Sequence, residues 1–290
     1  MSGEQTRAAV FAQPEWLRQV PTDARLPPAR GVLYTGCGTS FHAAQTGGNA
    51  VQALDLVDDG IGDHDLLVLV SHEGETQLTL EAADAAPDVE KWAVTAAPDG
   101  PLARACDRVV VAAPQIEQSW CHTASYTCAV ATLAAMRGED VSWLPGEVEW
   151  ALQRPDAVSD HERWLVVGAG GDWPTVQEAA LKLREGAFVA AEAHHTEQLL
   201  HGHLSAIDES VRAFVLDDGE GRRTERSAAA ADALRELGCD VTVVRTIHPV
   251  VDIVRFHLLV LGIAERRGVD PDRIRRDDDR WSRAADATRR

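Results

Sequence analysis

"DLLVLVSHEGETQLTLEAADAA", residues 65–86, decides how the fold is read. An apolar run breaks into Ser71, Gly74 and Thr76, and a helix-like stretch follows at once. A strand that is apolar at every position is covered on both faces, as in a parallel sheet, and a small-residue loop leading into a helix makes it the first part of a βα unit. Such a loop commonly holds an anion, because free backbone N–H groups and the helix dipole point into it. Here the loop carries Glu73, a carboxylate where an anion is expected to bind.

The same pattern recurs on both sides of this stretch. Residues 31–40 (GVLYTGCGTS) read as a strand running into a Gly-rich turn, residues 41–54 as a helix, 91–98 and 107–114 as strands, and 125–136 as a helix. The pattern restarts with a strand and Gly-rich loop at 163–174 (RWLVVGAGGDWP), a helix over 175–191 with Pro174 at its start, strands at 211–218 and 239–246, and helices at 227–237 and 249–267. Strands alternating with helices predict an α/β fold with parallel sheets, and the restart predicts two similar halves. The expected boundaries are an N-terminal segment 1–29, a first domain 30–145, a linker 146–161, a second domain 162–267 and a tail 268–290.

Composition removes several function classes. The 290 residues include 46 acidic and 28 basic side chains, a formal charge of −18, which repels polyanions and argues against nucleic acid or an anionic membrane as partner. No apolar run approaches membrane-spanning length and the first residues do not resemble a signal peptide, so a cytoplasmic protein is expected. The five cysteines contain no CxxC pair and suggest neither a disulfide framework nor a zinc site. Lysine occurs only as Lys91 and Lys182, which makes the position of each informative.

Four segments in order, "TGCGTSFHA" (35–43), "VSHEGETQLTLEA" (70–82), "HTASYTCAV" (122–130) and "EAALKLREGAFVAAEAHHTEQLLHGHLSAID" (178–208), resemble the tandem sugar isomerase (SIS) domains of glucosamine-6-phosphate synthases. The resemblance implies two flavodoxin-like α/β halves, each a parallel sheet flanked by helices, assembled as a homodimer. It implies a sugar isomerase or amino-sugar deaminase that moves a proton between C1 and C2 of an amino or keto sugar, most often a sugar phosphate, with no metal or nucleotide cofactor. Residue by residue, Glu185 matches the proton shuttle, Lys182 a lysine beside it, and His201 the histidine that assists ring opening from the neighbouring subunit. Thr39, Ser40, Ser71 and Thr76 match hydroxyls at the sugar-phosphate site, and His122 stands where the family has a small hydroxyl residue.

The chemistry of the residues agrees with those roles. Aldose–ketose interconversion needs one positioned base and a donor or cation for the enediol, and Lys182 and Glu185 lie three apart on one predicted helix, sharing a face. An ordinary surface ion pair is the alternative for any Lys-x-x-Glu. Glu178 and Arg184 on the same helix are expected to be solvated or ion-paired, and His42 to be a packed side chain. The cluster His194, His195, His201 and His203 raises the possibility of zinc, but no supporting acid pattern accompanies it.

Three departures from the family pattern qualify the transfer. Where the family reads Ser-Gln-Ser-Gly-Glu-Thr, His72 replaces Gln and Glu73 replaces a phosphate-binding Ser. The tail "DPDRIRRDDDRW" has no lysine to form an imine with a keto sugar, and arginine cannot replace it, although Arg275 or Arg276 could contact an anionic substrate. Residue 2 is Ser2, not the cysteine of a glutaminase domain. These differences leave two competing readings. One is a stand-alone enzyme of this group, and the other a non-catalytic sugar-binding or regulatory module. A dinucleotide enzyme is less favoured, since neither Gly-rich turn completes G-x-G-x-x-G.

Overall fold

A computed structural model describes residues 3–287. Its frame is two parallel sheets. The first joins β1 (Val32–Gly36), β2 (Ala50–Gln52), β3 (Leu66–Val70), β4 (Glu90–Thr95) and β5 (Arg108–Val111) in the order β2-β1-β3-β4-β5. The second joins β6 (Arg163–Gly168), β7 (Ala190–His195), β8 (Val211–Asp217) and β9 (Asp240–Arg245) in the order β7-β6-β8-β9. Every pairing is parallel. Both orders reverse direction beside their first strand, the flavodoxin-like arrangement, and so place a crevice at the carboxyl ends of the central strands.

The helices that matter for function lie between the sheets: α2 (Thr39–Gly47), α6 (Ala124–Met136), α8 (Trp173–Ala187) and α12 (Val254–Arg267). One apolar cluster runs through them and includes Val68, Val94, Leu133, Leu183, Phe214 and Leu259, so the halves share a core. Helix α6 is buried at all thirteen positions, as expected for a segment of small and apolar residues with no charged face to turn to water. No helix among the described residues is long and apolar enough to cross a membrane, and all five cysteines are free.

Several local expectations are corrected. The stretch 41–54 is not one helix: α2 ends at Gly47, Gly48 takes φ 140°, and the chain forms edge strand β2 before α3 (Ala53–Asp59). At Gly47 a Cβ would meet the Tyr34 ring at 2.4 Å, so the glycine is a requirement of packing. The helix expected to run to 191 stops at Ala187, where Phe188 adopts left-handed backbone (φ 56°) and residues 190–195 become β7. The N-terminal segment is not merely polar. It contains α1 (Glu4–Leu17), which buries Val10, Trp16 and Leu17. Helix α7 (Leu144–Leu152) spans the expected boundary at 145 and packs against α1 and α12.

The tail is also tied into the body. Asp272 receives the backbone N–H groups of Gln5 and Thr6 at 3.0 and 2.7 Å and the Thr6 hydroxyl at 2.7 Å, which caps the start of α1. Its own carbonyl accepts from Trp120 N at 3.0 Å. A second carboxylate, Asp270, receives Gly3 N at 3.0 Å.

Candidate functional site

A cavity of about 250 Å³ opens at the carboxyl ends of β1, β3 and β4. The first residues of α2 (Thr39, Ser40) and the loop after β3 (Ser71, His72, Glu73, Thr76) line it, and His122 and Ser125 enter from the start of α6. Glu185 of α8 comes from the second half of the chain, and Ile274 and Arg276 from the tail. Thr39, Ser40, Ser71, Thr76 and His122, which the resemblance matches to the sugar site, therefore meet in one cavity with the two departing candidates for substrate contact, His72 and Glu73, and Glu185 joins them.

The glycine at 38 (φ 54°) turns the chain sharply from β1 into α2, which points Thr39 and Ser40 inward. Across the cavity floor, Ser71 and Thr76 bring their hydroxyl oxygens to 3.4 Å of each other. These hydroxyls can each donate and accept, as a polyol requires.

Helix α8 supplies a line of charge. Glu178, Lys182 and Glu185 fall on one face, and the first two are 0% exposed. Lys182 Nζ lies 2.6 Å from Glu185 Oε2 and 3.4 Å from Glu178 Oε1. Glu178 also receives the Thr39 hydroxyl at 3.1 Å and contacts His42 Nδ1 at 2.7 Å. Burial works against the Glu178 carboxylate, but the Lys182 ammonium and His42 outweigh it and hold its pKa at about 2. For Lys182, burial opposes the charge while Glu178 and Glu185 raise its pKa well above the ordinary value. The expectation of Lys182 as a group within the site is corrected in one respect. Lys182 does not line the cavity; its ammonium lies behind the wall, in direct contact with Glu185 of the lining and, through Glu178, linked to Thr39.

A second buried carboxylate orders the opposite wall. Glu117 accepts from Thr123 N, Thr123 Oγ1 and Ser125 N at 2.8, 2.9 and 2.8 Å, so it satisfies N–H groups at the start of α6. Its backbone N–H donates to His72 Nε2 at 2.8 Å. An imidazolium has no acceptor nitrogen, so this bond makes His72 neutral with its proton on Nδ1. Burial agrees, lowering the His72 pKa to about 4. Burial, followed by the Lys182 charge, lowers that of His122 to about 3. The two imidazole rings meet edge to face at 5.2 Å.

His201 is not brought to this cavity. It ends α9 (Thr196–Leu200), with its side chain 73% exposed and paired to Glu197 at 3.2 Å. The other histidines of its segment are also spread out: His194 meets Glu192 at 2.9 Å and stacks near His203, while His195 lies against Trp173. No group of three or more His, Cys, Asp or Glu side chains that could hold a metal occurs among the described residues.

Sequence reasoning missed Glu117, Ser125 and Trp120, and undervalued Glu178 and His42. The Glu178–His42 contact joins residues 136 apart, so no local spacing could reveal it. Glu178 at i−4 to one of only two lysines was the available signal. Arg276, considered for an anionic ligand, does line the cavity, with its guanidinium carbon 3.6 Å from the centre of the Trp120 ring.

Residues 158–269 match the family model of the SIS domain. The chain is 26% identical to a glutamine–fructose-6-phosphate aminotransferase (isomerizing) of Methanothermobacter thermautotrophicus over 89% of its own length and 52% of the relative's. A protein of the same name in Pyrobaculum aerophilum is 26% identical, with 92% and 55% covered. The chain thus spans about half the length of the curated relatives it matches. Among solved structures, the C-terminal domain of glucosamine-fructose-6-phosphate aminotransferase from Francisella tularensis superposes with a TM-score of 0.78 at 19% identity, covering 93% of this chain and 98% of that one. Tagatose-6-phosphate ketose/aldose isomerase from Escherichia coli gives 0.76 at 18% identity, covering 93% and 95%. These likenesses establish the shared fold.

Proposed function

We propose that this chain is a sugar isomerase or amino-sugar deaminase that transfers a proton between C1 and C2 of an open-chain amino or keto sugar. The observation that carries the reading is Glu185. It is a cavity-lining carboxylate, anchored by a fully buried lysine, opposite a floor of hydroxyls from two strand–helix loops. A general base for carbon acids must be fixed in direction, and a 2.6 Å contact to Lys182 fixes this one.

In this scheme Thr39, Ser40, Ser71 and Thr76 hold the sugar through its hydroxyls. Glu185 removes the proton from one carbon and returns it to the next. Lys182 is a positioning residue, since it acts through Glu185. His201, exposed and outside its own chain's cavity, opens the sugar ring in the cavity of a second copy, so the working form is a dimer.

The test is exchange of solvent deuterium into C1 or C2 of fructose, glucosamine and their 6-phosphates, read by NMR. The wild-type chain should exchange at least one of them. E185Q should reduce exchange by about a thousandfold while ligand binding persists. Binding with no exchange by the wild type would assign the chain to the sugar-binding modules instead.

A further inference from the structure

The charge around the loop after β3 (residues 71–76) restricts what can lie there. The acidic and basic side chains of the cavity wall are Glu73, Glu185, Arg276, His72 and His122, and burial keeps the thiol of Cys37 and the phenol of Tyr126 protonated. His72 is neutral because its Nε2 accepts the Glu117 N–H, and it cannot offset a neighbouring negative charge. His122 lies 3.3 Å from Ser125 Oγ through Nδ1, in a buried setting that also disfavours charge. The Lys182 ammonium behind the wall is already bracketed by Glu178 and Glu185. The lining therefore presents two carboxylates against one guanidinium.

Glu73 is the unusual member. It sits in the middle of the loop between Ser71 and Thr76, and its carboxylate forms no hydrogen bond or ion pair with the chain among the described residues. A partly buried carboxylate whose acceptor capacity is unused within the protein is open to ligand donors. A dianion in the same place meets like charge in a low-dielectric cavity.

We propose that Glu73 is a specificity residue that excludes phosphorylated sugars, so that the cavity takes an amino or keto sugar whose end on loop 71–76 carries free hydrogen-bond donors. Glu73 accepts those donors, while Ser71 and Thr76 complete the contact. The inference rests on the sugar reading above, deepens it by naming the substrate class, and departs from the phosphorylated substrate that the family resemblance implies.

Calorimetric titration of the whole chain tests it, using fructose, glucosamine, their 6-phosphates and inorganic phosphate. Wild type should bind an unphosphorylated sugar at least about tenfold tighter than its 6-phosphate. E73Q keeps the shape and removes the charge, and should improve binding of the 6-phosphates and of inorganic phosphate by about tenfold or more. E73S should act in the same direction, and matching thermal melts would show that both variants are folded. Tighter binding of 6-phosphates by wild type, or unchanged phosphate affinity in E73Q and E73S, overturns the role of Glu73. Discrimination between the two ligand sets without deuterium exchange overturns the isomerase reading alone and leaves Glu73 in place.

Discussion

Replacing Lys182 by Met keeps most of the side-chain volume and removes one charge from between two carboxylates. At an effective dielectric near 20, contacts of 2.6 and 3.4 Å are worth roughly 6 and 5 kcal/mol. Stripping water from a fully buried ammonium offsets several kcal/mol of that, and breaking such a buried pair costs a net ~3–5 kcal/mol. The cost should depend on pH. In wild type Glu178 has a pKa of about 2, below its ordinary 4.5, so its stabilising effect is complete above 4.5 and is lost as pH falls toward 2. Without Lys182, His42, His257 and the Thr39 hydroxyl alone oppose burial, and the Glu178 pKa moves upward. The variant then takes up a proton on acidification, which relieves its unpaired charge. The deficit of K182M in urea unfolding should be about 3–5 kcal/mol at pH 8 and smaller by about 1–2 kcal/mol at pH 5. A deficit under ~1 kcal/mol at pH 8, or one equal at both pH values, would refute the claim that this lysine neutralises two buried acids.

Three further outcomes are expected. His72 is held at about 4 against an ordinary 6.5, so its contribution is complete above 6.5 and is lost as pH falls toward 4; H72Q, whose amide oxygen can still accept the Glu117 N–H, should flatten the wild-type loss of urea stability over that window by ~2–3 kcal/mol. D272A strands two N–H groups in the first turn of α1 and should lower stability by about 2–4 kcal/mol; because Ile274 and Arg276 lose their anchor, sugar affinity measured by calorimetry should fall as well. In G186A the new Cβ would lie 2.3 Å from Val260 Cγ1 and 3.1 Å from Cys121 Sγ, so a loss of about 1–3 kcal/mol in the free energy of urea unfolding is expected, and a neutral result would mean that α8 shifts freely against α12.

The parts of the fold legible in the sequence were those with a strong local pattern. β3 is apolar at all five positions and ends in Ser-x-x-Gly, and β1 and β6 end in comparable glycine turns. β2 has only three residues behind a Gly-Gly break, too short for periodicity to register. β7 reads Ala-Ala-Glu-Ala-His-His, a helix-compatible composition that becomes a strand because β6 offers it an edge and Phe188 turns the chain back. The hydroxyls and Glu185 were found because their motifs lie on single segments. Glu117, Asp272 and the Glu178–His42 contact were not, since each acts through partners that only the folded chain brings near, from six residues away for Glu117 to 267 for Asp272.

The Asp272–α1 tether also bears on the order in which the protein is made. Arg276 and Ile274 form part of the cavity wall, while the loops they face are residues 39–40 and 71–76. A ribosome delivers those loops some two hundred residues before it delivers the wall, and domains generally fold as units while synthesis continues. The first sheet can therefore assemble on the nascent chain, but its crevice stays open to water on that side until residue 276 clears the exit tunnel. Ligand binds the complete wall only once residues 274 and 276 have joined it, so sugar in the surrounding solution should rescue slow late folding of the whole chain and do less for fragments that stop before them.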